Sequence, residues 1–318
     1  MTARVDAASK PDGGGPVLGK RIVFVTGKGG VGKTTVAAAI ALAAARRGVR
    51  TVLAELSAQR QVPAMLGRRP RGTEAELAPG LRWICLEPRQ ALRQYLRMRL
   101  GALGGALMAT RGFGYLAAAT PGLSELVTLG ELWQLAVMGL GDSRPDLLVV
   151  DSPPSGQCIA LLRSPTTFAA IARTGPVARQ ASAINDTLRD PRLTGLAIVA
   201  LPEELAVRET LELRDELAAS PGVALDSVIV NRVHERRFAE RDINRVRRAL
   251  GDTDDLLRRK ALQATFSQHA RRVGQEEHLT SLSCALGEAP LELPLLVSPP
   301  SNAATLQGLG ERVVPAER

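Results

Sequence analysis

The run Gly27-Lys28-Gly29-Gly30-Val31-Gly32-Lys33-Thr34-Thr35 carries the densest chemical content of the chain. It fits the spacing G-x-x-x-x-G-K-[ST]. Glycines so placed let the backbone double back and aim its N–H groups at phosphate oxygens. A helix starting near Lys33 adds the positive end of its dipole. The chemistry is that of a nucleoside triphosphate, ATP, held by Gly27, Gly29, Gly30, Val31, Gly32, Lys33, Thr34 and Thr35. Lys33 is expected to contact the β- and γ-phosphates, and the Thr34 hydroxyl to ligate Mg²⁺. Such a loop works only between a strand and a helix. Residues 21–26 (RIVFVT) read as the strand, and the Ala-rich residues 34–47 as the helix.

A second signal is the apolar run 146–151 (DLLVVD), which ends in a carboxylate. Paired with the loop, Asp151 is expected to hold Mg²⁺ together with Thr34. Ser152-Pro153-Pro154-Ser155-Gly156-Gln157-Cys158 follows.

Lys28, a second lysine inside the loop, makes the run resemble K-G-G-x-G-K-[ST], the deviant Walker A class of P-loop ATPases. That class includes ArsA-type arsenite-pump ATPases, the targeting ATPase for tail-anchored membrane proteins, the MinD and ParA partition ATPases and the nitrogenase iron protein. The resemblance implies that Lys28 crosses a dimer interface to the partner's nucleotide, acting as an arginine finger does. The segment after Asp151 is similar to switch II of the ArsA and tail-anchor-targeting family, roughly D-T-A-P-T-G-H-T. Here Ser152, Pro153, Ser155 and Gln157 replace Thr, Ala, Thr and His. ParA proteins carry a similar D-x-P-P-S. Chain length, a long insert at 88–141 and Leu201-Pro202-Glu203-Glu204 favour the ArsA side. Asn231, followed by Arg232, matches the family's adenine-contacting Asn, and Pro299 falls in the loop that closes over the base. Switch I departs from the family. Where D-P-A-H is usual, the chain reads Glu55-Leu56-Ser57-Ala58-Gln59, so Glu55 takes the expected catalytic place beside Lys28 and Lys33. The alternative for Glu55 is a carboxylate that merely ends its strand. The resemblance runs from about residue 21 to residue 300.

The elements that must position these groups follow from periodicity. Apolar runs at 50–56, 81–86, 196–201, 223–231 and 291–297 read as further strands. Helical patterns fill 34–47, about 158–189, 203–218 and the Arg-rich stretch 232–280. Strands without polar alternation, separated by helices, predict an α/β fold. The sheet is expected to be doubly wound and mostly parallel, with helices on both faces and a helical insert subdomain at 88–141. Residues 20–300 are expected to form one ATPase domain, after a disordered tail at 1–19 and before a C-terminal helix or tail at 301–318.

Composition limits the rest. The chain has 318 residues, 45% of them hydrophobic, which excludes a wholly disordered protein. Residues 1–19 lack the apolar core of a signal peptide, and glycines and arginines break up the most apolar stretch, 100–123. Cys85, Cys158 and Cys284 are odd in number and far apart, so a reducing cytoplasm is expected. The net charge is +9, and much of the excess lies at 232–272, where acids interleave with arginines as on a solvated helix. Nucleic acid is therefore not the expected partner. The expected partner is a second ATPase chain, identical or paralogous, together with a membrane protein or an apolar client. Leu96, Met98, Leu103, Leu107, Met108, Phe113 and Leu116 supply apolar surface for such a client. They serve equally as a helical core or a dimer face. Two other uses stay open: arsenite or antimonite efflux, which needs converging thiolates, and a partition switch binding DNA or membrane.

Overall fold

The computed structural model describes residues 17–57, 59–88, 122–139, 144–171, 176–219, 222–296 and 302–315. In chain order the elements are β1 (Ile22–Gly27), α1 (Lys33–Arg46), β2 (Thr51–Glu55), α2 (Gln61–Met65), β3 (Glu74–Ala78) and β4 (Leu81–Cys85). Then come α3 (Leu123–Met138), β5 (Leu147–Asp151), α4 (Ser155–Ile171), α5 (Pro176–Arg189), β6 (Thr194–Ala200) and α6 (Glu204–Ala218). The chain ends with β7 (Leu225–Val233), α7 (Glu240–Gly251), α8 (Leu256–Leu286), β8 (Leu291–Pro294) and α9 (Ala303–Val313).

The strands form one sheet in the order β3-β4-β2-β5-β1-β6-β7-β8. Every neighbouring pair is parallel except β3 with β4. Every residue of β1, β2, β5 and β6 is buried, as parallel strands covered on both faces must be. Alternate side chains feed two cores. Val23, Val25, Leu53 and Val149 face α1 and α9. Phe24, Ala54, Leu148 and Val150 face the side of α3, α4 and α5. This is the doubly wound α/β architecture expected of a P-loop ATPase.

Helix α1 is buried without a break from Val36 to Ala45. A helix apolar all round must be enclosed. The sheet covers one side and α9 the other. The approach is close: a Cβ on Gly310 would run into the Ala39 carbonyl and the Ala43 methyl. Leu306, Leu309, Val313 and Val314 thus join the core, so the segment set apart from the domain at 301–318 contributes a packed helix. Val17 and Leu18, assigned to a disordered tail, are buried as well. Helix α4 begins at Ser155, not near Cys158, which puts Gln157 in its first turn. Of the insert at 88–141, α3 is helical as expected, while Leu96, Met98, Leu103, Leu107, Met108, Phe113 and Leu116 lie outside the described residues.

Candidate active site

Strands β1, β2 and β5 end together. Val25 pairs with Asp151, and Asp151 with Glu55, in neighbouring registers. Ligands of open α/β sheets sit beyond these carboxyl ends. Here a cavity of about 650 Å³ opens, floored by Gly29, Gly30, Gly32, Lys33, Thr34 and Thr35. Gly32 caps α1 at φ 97°, a left-handed conformation costly for any residue with a Cβ. A Cβ there would also strike the Asn231 amide. Lys33 Nζ donates to the Lys28 carbonyl oxygen at 2.9 Å. Burial lowers the Lys33 pKa, and the nearby Asp151 pulls it back up. Gly27 is the last residue of β1, and Val31 points into the core.

The two strand-end carboxylates have opposite surroundings. Asp151 is buried, and its Oδ1 makes no hydrogen bond among the described residues. Burial pushes its pKa up to about 7, against the pull of the Thr34 hydroxyl and Lys33. A desolvated, partly orphaned carboxylate beside a hydroxyl and a phosphate-binding loop suits a hard divalent cation, which takes oxygen ligands. The donor set at Thr34 and Asp151 therefore fits Mg²⁺. Glu55 is also buried, yet its oxygens are engaged. Oε1 accepts from Gln61 N at 2.7 Å, and Oε2 accepts from Trp83 Nε1 at 2.9 Å and Val62 N at 3.4 Å. These bonds tie the end of β2 to the start of α2 and to β4. Glu55, expected in a catalytic, water-directed place, lines the cavity while its carboxylate also braces the end of β2.

Lys28 is exposed and ion-paired with Glu209 of α6 at 2.6 Å. Asn231, expected to contact adenine, stands near the end of β7 beside the phosphate loop. It is buried, its Nδ2 donates to the Val31 carbonyl at 2.9 Å, and its Oδ1 accepts from Arg232 N at 2.9 Å. The amide braces the phosphate loop through Val31. Arg232 does line the cavity. It adopts φ 60°, unusual for a residue with a Cβ. Gln275 of α8 donates to its carbonyl at 3.2 Å. Pro299 lies outside the described residues. Gln59, Gln61 and Gln157, polar residues not placed in the site from sequence, complete the walls. The Gln-rich segment after β2 was the visible signal for Gln59 and Gln61, and the segment after Asp151 that for Gln157.

Comparison with known proteins places the chain in a family. Residues 20–174 and 169–270 match the family model described as anion-transporting ATPase. The chain belongs to this family. It is an ATPase. The chain is 29% identical over 299 residues to ATPase BagA of Mycobacterium tuberculosis, covering 87% of each chain. It is 26% identical over 299 residues to an arsenical pump-driving ATPase of Escherichia coli, spanning 86% of this chain and 50% of that one. To ATPase GET3 of Chaetomium globosum it is 25% identical over 253 residues, 67% of this chain and 73% of the other.

Cys85 and Cys158 lie in the cores on opposite faces of the sheet, and Cys284 is exposed on α8. Burial pushes the Cys158 thiol up to about 11. The arginines after β7 carry interleaved ion pairs: Glu276 accepts from Arg236 at 2.7 Å and from Arg272 at 2.9 Å. Among the described residues no helix is long and apolar enough to cross a membrane.

Proposed function

We propose that the chain hydrolyses ATP with Mg²⁺ and couples the cycle to opening and closing of a dimer, with an identical chain or a paralogous ATPase as partner. The observation that carries this is the placing of Asp151 Oδ1, unpartnered and buried, beside Thr34 and Lys33 at the start of α1. The loop amides and the α1 dipole receive the phosphates, and Lys33 exchanges the Lys28 carbonyl for phosphate oxygen. Thr34 and Asp151 would hold Mg²⁺, which supplies charge neutralisation across the β- and γ-phosphates when bound. Arg232 lies at the cavity wall, where its guanidinium can meet the nucleotide. Lys28, paired with Glu209 in the single chain, becomes the group that reaches the partner's nucleotide once that pair exchanges.

Three thiols spread over two cores and a surface helix do not form a soft-metal site within one chain. The cycle is therefore read as independent of metalloid. The test is steady-state Mg²⁺-ATP hydrolysis by the purified chain, with and without antimonite, for the wild type, Lys33→Ala and Lys28→Ala. Expected are loss of turnover in both variants, retention of ATP binding by Lys28→Ala, and no stimulation by antimonite. Full turnover by Lys28→Ala overturns the dimer role of that lysine. Stimulation by antimonite restores the pump reading.

A further inference from the structure

ATP cleavage needs a group that orients the attacking water. The expected carboxylate, Glu55, lines the cavity but is held by bonds from Gln61 N, Val62 N and Trp83 Nε1, which fix it at the end of β2. Asp151 faces Thr34 and Lys33 at the phosphate-loop side. Gln59 and Gln61 bond to each other through their side chains, and the Ser57 hydroxyl accepts from Gln59 N at 3.1 Å. Among the described cavity residues, Gln157 carries an exposed primary amide with no side-chain hydrogen bond.

Its backbone, by contrast, is firmly placed. Gln157 N and Cys158 N both donate to the Pro154 carbonyl, at 2.9 and 3.0 Å. The Thr26 hydroxyl donates to the Pro153 carbonyl at 3.1 Å, tying the turn to β1. The next side chain, Cys158, is sealed in the core. Two prolines restrict the turn further. The amide thus swings from a fixed Cα in the first turn of α4, beyond the turn that follows Asp151.

We propose that Gln157 is a catalytic residue that orients the attacking water for cleavage of the γ-phosphate, in the place the resemblance gave to a carboxylate of switch I. This rests on reading the cavity as the ATP site. The water oxygen bonds to the γ-phosphorus as the bond to the β,γ-bridging oxygen breaks. That oxygen keeps the electron pair and leaves in ADP, and the water protons pass to the released phosphate and to solvent. The amide transfers none of them. Its carbonyl oxygen accepts a hydrogen bond from the water, and its N–H group donates to a γ-phosphate oxygen. A neutral side chain that does both suits a reaction catalysed mainly by positioning and electrostatics.

The test uses the full chain as wild type, Gln157→Leu, Gln157→Ala, Gln59→Ala and Lys33→Ala. Three quantities are measured: kcat with Mg²⁺-ATP, affinity for the slowly hydrolysed analogue ATPγS, and trapping of ADP by aluminium fluoride. Loss of a water-positioning group is expected to cost the Gln157 variants at least about tenfold in kcat. Their ATPγS affinity should stay within about twofold, and aluminium fluoride trapping should weaken in step with kcat. Turnover by Gln157→Leu within about threefold of wild type overturns the proposal. So does a kcat loss matched by an equal loss of ATPγS affinity, or a loss found in Gln59→Ala and absent from the Gln157 variants. If Lys33→Ala binds ATPγS as the wild type does, the cavity is not the ATP site and the underlying reading falls with the proposal. If Lys33→Ala loses binding while Gln157→Leu keeps turnover, only the role of Gln157 falls.

Discussion

Glu55 and Asp151 end adjacent parallel strands in register, both as buried carboxylates. Their chemistry diverges through their neighbours. Glu55 is met by an indole N–H and two backbone N–H groups. Asp151 keeps an unpartnered oxygen, and burial pushes its pKa up to about 7. A carboxylate met by several donors offsets much of its desolvation inside the protein. One left short of donors is held ready for an external cation. Strand-end position selects neither outcome; the partners do.

The largest effect that sharpens this contrast is on turnover by Asp151→Asn. If Asp151 holds the cation as proposed, removing its charge should lower kcat on the order of a hundredfold or more, read as phosphate release. Wild-type-like turnover would place the cation elsewhere. The same variant should be more stable than the wild type without nucleotide. The folded-state pKa of Asp151 is raised, so the wild type loses stability as pH rises from the ordinary carboxylate range through about 7. Asn mimics the protonated acid, so its advantage should grow over that window and level off above it. Thermal melts should give a gain of roughly 2–4 kcal/mol near pH 8, shrinking toward zero near pH 4. A gain that does not change with pH would break the assignment.

Glu55→Gln should act in the opposite direction. Its amide NH₂ faces donors, so it should cost about 1–3 kcal/mol of stability in denaturant titrations. Turnover per folded molecule should change less than in Asp151→Asn. A full loss of turnover with unchanged stability would assign Glu55 to catalysis. Trp83→Phe removes one of the three donors and should destabilise by about 1–2 kcal/mol. The smallest effect concerns Glu209→Gln, which frees Lys28 from an exposed pair. Stability should move by less than about 1 kcal/mol. Nucleotide-dependent dimerisation, measured by light scattering, should become easier if Lys28 has to leave Glu209 to reach a partner.

The phosphate loop was legible because its chemistry is local: consecutive residues set the backbone, the N–H groups and the helix start. The apolar central strands were legible for a similar reason, since burial on both faces leaves an unbroken hydrophobic run. Strand β3 was not. Its residues, EAELA, favour helix, and pairing with β4 made them a strand. The place of α9 was not either, because its packing depends on Gly310 meeting Ala39 and Ala43.

The residue roles divide in the same way. Lys33, Thr34 and Asp151 could be named from spacing and strand ends alone. The partners that decide Glu55, Lys28 and Asn231 are Trp83, Glu209 and the Val31 carbonyl. The bonds to Trp83 and Val31 close over 28 and 200 residues of chain. Sequence alone determined that an ATPase phosphate loop stands at the carboxyl ends of a parallel sheet, because that motif is built from short-range backbone geometry. Tertiary structure decided which carboxylate stays short of donors and which side chains are already taken, because hydrogen-bond saturation depends on groups that only folding brings within reach.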